Sequence, residues 1–301
     1  MKKIALFSFL MLLWANYIMA QKVLYLGVGS NIAKSAEKQQ LVEELALYLS
    51  QKTGVSVKIS SVKPGKTLEA IQEGKLDVAL MNTFGYVLAS GEGNMEGLAV
   101  VANAQKEAIS YKSCLLSSSN SNIKNISDLK KEATNSVFGF VTSSSTSGHL
   151  VPRLFLNRQD LQPEIAFKDI KFTGSHSELI HKISTNELKV GACSYTDLEE
   201  MVKEGKYKMT DFNILWVSEP ITNGPVSVRK NLPTNTKNKL LEAWLALPKE
   251  NPALNAKIVK IWHNTDANSI FVPAQDKLYD AIRNMANSME EISILVGMYS
   301  E

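Results

Sequence analysis

Between residues 23 and 81 the chain alternates short apolar runs with amphipathic runs of helical period, and this alternation limits the fold more than any other feature. Residues 23–28 read as a strand. Residues 37–53 read as a helix, with Leu41, Leu45 and Leu49 on one face and Gly54 just past its end. Residues 55–60 alternate apolar and polar like a strand, 67–73 form a short helix, and 76–81 a buried strand. A β-α-β-α-β order calls for a parallel sheet, because parallel neighbours are joined by crossovers. Residues 97–102 and 110–116 add two more strands.

A second series begins near Ile126. It holds strands at 137–141, 170–173 and 189–194, a helix after Ser147 and another at 177–185. Residues 214–218 and 225–228 supply further strands, and the chain after Pro233 is mostly helical. One α/β unit inserted into another is the economical arrangement, with connections near residues 110–114 and 215–229. Ligands in such sheets sit at the carboxyl ends of strands, where helix N-termini converge.

One of those strand ends is unusual. Thr142-Ser143-Ser144-Ser145-Thr146-Ser147-Gly148 joins the 137–141 strand to a helix that carries Pro152 early in its first turns. Small hydroxyl residues at that point place free backbone N–H groups at the positive end of a helix dipole, beside several O–H donors. Such a turn is an anion cradle for phosphate-like oxygens. It can equally be a polar loop whose last serine caps the helix. Asn82-Thr83 and Ser175-His176 stand at other strand ends, which favours the cradle.

Met1-Lys2-Lys3, an apolar run over residues 4–14 and Ala20 before Gln21 read as a cleaved signal peptide, residues 1–20. The apolar run is shorter than the ~20 residues a membrane span needs. The expected mature protein is exported, periplasmic and soluble. Its net charge falls close to neutral once Lys2 and Lys3 leave a chain of formal charge +3. No basic block points to nucleic acid or to a polybasic membrane patch. Cys114 and Cys193 are the two cysteines, both in apolar strand-like runs. Two buried free thiols are the preferred reading, although a bridge would also fit, and their spacing does not point to a metal.

Several segments, taken in order, resemble the periplasmic phosphate/phosphite/phosphonate-binding proteins of ABC transporters. They include Gly74-Lys75-Leu76-Asp77-Val78-Ala79, Phe84-Gly85-Tyr86-Val87-Leu88-Ala89, Ser144-Ser145-Thr146-Ser147-Gly148-His149 and Phe172-Thr173-Gly174-Ser175-His176. Leu215-Trp216-Val217-Ser218-Glu219-Pro220, Gly224-Pro225-Val226-Ser227-Val228-Arg229 and Phe271-Val272-Pro273-Ala274 continue the match. The resemblance implies an α/β, two-lobed type II periplasmic-binding-protein fold. Each lobe would be a mixed, mostly parallel sheet flanked by helices, and a two-segment hinge would join them. Lobe 1 would comprise residues 21–112 and 216–301, and lobe 2 residues 113–215.

The same resemblance implies a receptor, not an enzyme, that hands a small phosphate-like anion to an ABC permease in the inner membrane as a monomer without cofactor or metal. Ser145, Thr146 and Ser147 would hold the anion's oxygens, Tyr86 would donate its phenol from the first lobe, and His176 would complete the cradle from the second. His149, His181 and His263 read as structural or exposed. Two positions depart from the family pattern. Lys63-Pro64-Gly65 stands where many relatives have an aromatic, and Asn223-Gly224-Pro225 where some have an acid or serine. The second departure removes a contact for a ligand's amino group. A sensing module built on the same fold and, less favoured, a hydrolase are the alternatives. The chain has no G-x-S-x-G, H-E-x-x-H or Walker lysine motif.

Overall fold

The computed structural model describes residues 23–28, 36–60, 62, 66–91 and 94–285. The expected signal peptide and Lys63-Pro64-Gly65 lie outside the described residues. Two sheets organise the chain. The first has the order β13-β4-β12-β3-β1-β2, formed by β1 (Leu24–Val28), β2 (Val57–Ser60), β3 (Val78–Leu80), β4 (Met95–Ala102), β12 (Val226–Arg229) and β13 (Ile270–Pro273). Strands β2 and β3 flank β1 in parallel, with Leu26 opposite Ile59 on one side and Val78 on the other. Strand β12 runs antiparallel between β3 and β4.

The second sheet has the order β10-β6-β9-β7-β8. Its strands are β6 (Ser113–Ser118), β7 (Val137–Phe140), β8 (Asp169–Phe172), β9 (Val190–Ser194) and β10 (Phe212–Val217). A two-stranded ribbon of β5 (Ser110–Tyr111) and β11 (Ile221–Thr222) joins the sheets, with Tyr111 opposite Ile221. The chain leaves the first sheet after β4 and returns to it at β12, so both connections run side by side through this ribbon. This is the two-lobed type II arrangement.

Helix α1 (Ala36–Thr53) shows why the sequence specifies the first lobe. Leu45 and Leu49 are fully buried and Leu41 packs at their edge, against Leu24, Leu26 and Trp244 in one apolar cluster. Gly54 ends the helix at φ +69°, a left-handed conformation that costs glycine little. The second lobe buries Phe138, Phe140, Leu156 and Val190 in its own cluster. Among the described residues no helix is long and apolar enough to cross a membrane.

Two expectations change, and the preferred reading of the cysteines holds. The predicted single strand at 110–116 breaks at Lys112, because the chain there passes from the ribbon to the second sheet. Strand β13 lies in a region read as mostly helical; four residues ending in Pro carry too little periodicity to be seen. Cys114 and Cys193 face each other across β6 and β9 as free, buried thiols, sulfur to sulfur 3.6 Å.

Leu45→Ala is expected to lower unfolding free energy by about 2–5 kcal/mol, the usual cost of a buried leucine lost from a core. Leu47→Ala, on the exposed side of the same helix, is expected to change it by less than ~0.5 kcal/mol. Urea denaturation of the two variants checks this; equal effects would contradict the assigned helix face.

Candidate anion-binding cleft

Strand β7 ends at Phe140, and the hydroxyl-rich segment follows it at the carboxyl edge of the second sheet. Residues Thr146–Leu150 form one wide turn that continues into helix α2 (Val151–Arg158). Ser145 caps the turn: its backbone is extended and its hydroxyl accepts the Gly148 N–H at 3.0 Å. Gly148 is required by space, since a Cβ there would strike the side chain of Val141. The first N–H groups of such a turn have no acceptor inside the helix and face outward. Thr146 and Ser147 are both nearly fully buried, and the Ser147 hydroxyl has no hydrogen-bond partner among the described residues.

A buried relay braces this turn. His149 sits beneath it, and its Nδ1 lies 2.6 Å from the Ser143 carbonyl. A carbonyl only accepts, so Nδ1 carries the proton and Nε2 accepts from Arg153 Nε at 2.8 Å. Arg153 in turn forks onto Glu164 through contacts of 2.7 and 2.6 Å. Burial, with the adjacent Arg153 charge, pushes the His149 pKa down to about 3.

The first lobe meets the turn with a second helix N-terminus. Helix α3 (Thr83–Gly91) starts at the end of β3. Its Phe84 N–H donates to the Thr146 hydroxyl at 3.2 Å, and Asn82 Nδ2 donates to the Ser144 carbonyl at 2.8 Å. Two positive helix ends therefore converge on one cleft of about 280 Å³. Ser145, Thr146, Ser147 and His176 line it, together with Tyr111 and His263. Leu68, Met81, Phe84 and Leu88 add an apolar wall.

His176 opens helix α4 (His176–Ser184), one residue after its cap Ser175. Its Nδ1 accepts the Ser194 backbone N–H at 2.9 Å, so the neutral ring carries its proton on Nε2. Burial pushes its pKa down to about 4, which keeps it a neutral donor at physiological pH.

Tyr86 is not in the cleft. It lies inside α3, 1% exposed, where its phenol donates to Asp276 at 2.6 Å and accepts the Gly97 N–H at 3.1 Å. Its ring meets Tyr279 edge-on, and burial followed by the Asp276 hydrogen bond raises its pKa. The structure puts a different tyrosine beside the hydroxyl turn. The phenol of Tyr111 lies among the hydroxyls of Thr83, Thr146 and Ser147, and burial pushes its pKa up to about 12. It is a neutral O–H donor placed by the ribbon.

His263, read from the sequence as structural or exposed, also lines the cleft. Its ring stacks on Tyr111 at 4.3 Å and its Nδ1 lies 2.7 Å from Asp197 Oδ1. Asp197 sits in the first turn of helix α5 (Tyr195–Lys203). Its burial alone would raise its pKa, but hydrogen bonds from His263 and Ser194 and the neighbouring histidines hold it at about 2. His176, Asp197 and His263 have ligand atoms within 4.8 Å of one another, close enough for one metal ion. Their hydrogen bonds argue against that use. His176 Nδ1 already accepts a backbone N–H, its Nε2 is protonated, and His263 Nδ1 is tied to the carboxylate. Ser194 donates to Asp197 at 2.8 Å, so its hydroxyl is not activated by a histidine as a hydrolase's serine would be.

The depressed histidines set the pH dependence of stability. Between the ordinary histidine pKa of ≈ 6.5 and about 3, unfolded chain takes up a proton that folded His149 refuses. Their stabilisation is complete above ≈ 6.5 and erodes as pH falls, with His176 acting in the same direction down to about 4. Asp197 enters only below its ordinary range, down to about 2. Unfolding free energy measured in urea is expected to fall steadily from pH 7 to pH 4, and more shallowly in His149→Gln. A flat wild-type profile over that window would contradict the buried neutral assignment.

Comparison with known proteins agrees with this fold. The family model for the periplasmic substrate-binding protein of phosphonate ABC transporters matches residues 32–279. The phosphonates-binding periplasmic protein of Escherichia coli (strain K12) is 24% identical over 180 residues, 59% of this chain and 52% of the relative. The chain thus spans about half the length of that relative. A binding protein component of an ABC phosphonate transporter from Pseudomonas aeruginosa superposes with a TM-score of 0.70 at 22% identity, over 92% of this chain and 89% of the other. PhnD1 from Prochlorococcus marinus (MIT 9301), solved with methylphosphonate, gives 0.65 at 21% identity over 88% and 97% of the two chains. These likenesses establish the fold, and the family match over most of the sequence establishes that the chain belongs to the periplasmic phosphonate-binding proteins of ABC transporters.

Proposed function

We propose that the protein is the extracytoplasmic receptor for a phosphate-like oxyanion (phosphonate, phosphite or phosphate), which it binds between its lobes and delivers to an inner-membrane permease. One observation carries this reading. Neutral donors from both lobes converge on one cleft: the turn at Ser145, Thr146 and Ser147, the Tyr111 phenol and the Nε2–H of His176. Neutral donors aimed at fixed points suit an anion's oxygens, and lobe closure strengthens each charge-assisted bond by removing water. The names of the relatives point the same way. Tyr111, not Tyr86, takes the role of phenolic donor in this reading.

The receptor acts as a monomer, exported on residues 1–20, whose Lys2-Lys3 start and short apolar run fit a cleaved leader. Its hinge is the paired ribbon of β5 and β11. Strand β10 stays in the second sheet through Val217, which supports ending the second lobe just after that residue. The preferred ligand carries a small uncharged substituent. Gly224 presents no side chain to the cleft, and none could be added, because a Cβ would run into the Met81 carbonyl.

Calorimetric titration with methylphosphonate tests the reading. Thr146→Ala is expected to weaken binding by about ten- to a hundredfold, the ~1.5–3 kcal/mol of one charge-assisted hydrogen bond. Tyr86→Phe is expected to stay within about threefold of the parent, since its phenol serves Asp276. Undiminished binding by Thr146→Ala would reduce the turn to a helix cap. Tighter binding of aminoethylphosphonate than of methylphosphonate would overturn the substituent preference.

A further inference from the structure

Asn223 follows β11 directly, is buried, and lines the cleft beside Gly224 and His263. Its side-chain amide is fully engaged. Nδ2 donates to the Ile109 carbonyl at 3.1 Å and to the His263 carbonyl at 2.9 Å, while Oδ1 accepts the His263 N–H at 3.1 Å. Two carbonyls face one amide atom and an N–H faces the other, which fixes the amide's orientation. A side-chain amide offers two donor hydrogens and an acceptor in one plane; an aspartate offers no donor and a serine only one. His263 is thus gripped at its N–H and its carbonyl together.

Its sequence neighbours are tied down in the same way. Trp262 Nε1 donates to the Gly224 carbonyl at 2.7 Å, and Asn264 Nδ2 donates to the Ser110 carbonyl at 3.0 Å. Residues 262–264 are therefore pinned to the first-lobe ends of both ribbon strands, at Ile109 and Ser110 for β5 and at Asn223 and Gly224 after β11. The same segment carries the ring that covers Tyr111. The two rings stack at 4.3 Å with 23° between their planes.

We infer that Asn223 is a positioning residue of the anion site: it holds the backbone of His263, whose ring lies against Tyr111, and so sets where the Tyr111 phenol stands. The inference rests on the receptor reading above, in which that phenol is a donor. The phenol oxygen lies at the far end of the side chain from the ribbon backbone, so a tilt of the ring moves it more than any other atom of Tyr111. An O–H donor reaches an oxygen only over about 2.5–3.0 Å, and a small displacement costs the bond. Asp197 steadies the His263 ring at Nδ1 from the second lobe, and Asn223 holds the backbone that carries it. Asn223 acts through these neighbours and not on the ligand, because both Nδ2 hydrogens are spent on carbonyls.

A double-mutant cycle read by calorimetric titration with methylphosphonate tests this. Asn223→Ala and Tyr111→Phe are each expected to weaken binding by about tenfold, the effect of one lost or misplaced hydrogen bond to an anion. The double variant is expected to lose about tenfold as well, and not the roughly hundredfold that two independent sites would give. In a Tyr86→Phe background, where the altered phenol serves Asp276, the Asn223→Ala loss is expected to remain about tenfold. A loss that persists undiminished in the Tyr111→Phe background overturns the inference, as does an Asn223→Ala protein that binds like the parent. Tyr111→Phe binding like the parent overturns it too, and leaves the receptor reading standing on the hydroxyl turn. If Asn223→Ala does not fold, Asn223→Asp, which keeps the shape and the acceptor but not the donors, takes its place in the cycle. Failure of both variants to fold makes Asn223 a core residue and ends the positioning role. Failure of the parent to bind methylphosphonate, phosphite and phosphate alike removes the receptor reading and this inference with it.

Discussion

The site depends on one hydrogen bond, from the buried Nδ1–H of His149 to the carbonyl of Ser143. That bond ties the hydroxyl-rich segment to the ring beneath it, beside the cap that Ser145 provides for Gly148. Nε2 accepts from Arg153, whose charge is matched by Glu164, and that second bond exists only while the ring is neutral. A histidine protonated at that position would set a second cation against Arg153 in the lobe interior. Burial and the Arg153 charge hold the His149 pKa low, which keeps the relay to Arg153 intact. Gly148 supplies the remaining freedom, since any Cβ there would meet Val141 and the hydroxyl of Ser145.

Function then follows from where the two sheets place their strand ends. The second lobe brings the turn and His176; the first brings the N-terminus of α3, His263 and, through the ribbon, Tyr111. Contacts cross between the lobes: Asn82 to Ser144, Phe84 to Thr146 and His263 to Asp197. Each joins residues at or beside the cleft, so in the proposed reading lobe closure and anion binding draw on the same groups. An oxyanion that strengthens these contacts shifts the population towards the closed form in proportion to its preference for it.

Much of this was legible in the sequence. The periodicity of residues 23–81, the leucine face of α1 and Gly54 at its end place the first sheet, because local patterns and packing agree there. The hydroxyl turn was visible as a run of residue types. The sequence reading and the structure part where placement depends on tertiary contacts. Tyr86 and Tyr111 are indistinguishable as residue types. Only α3 turns Tyr86 towards Asp276, and only the ribbon, whose second strand comes from about a hundred residues later, sets Tyr111 beside Thr146. His263 and Asp197 are separated by 66 positions and meet only across the cleft, so no local signal could join them. The break at Lys112 escaped for the same reason, since it marks where the chain changes sheets and not where the apolar pattern ends.

The central claim is that an oxyanion sits on the turn that His149 braces, between the two lobes. A crystal structure of the protein with methylphosphonate tests it most directly. The account predicts the phosphonate oxygens within hydrogen-bonding distance of the N–H and O–H groups of Ser145, Thr146 and Ser147, with the Tyr111 phenol and His176 Nε2 completing the shell. A phosphonate bound away from that turn, or one held by the phenol of Tyr86, would contradict it.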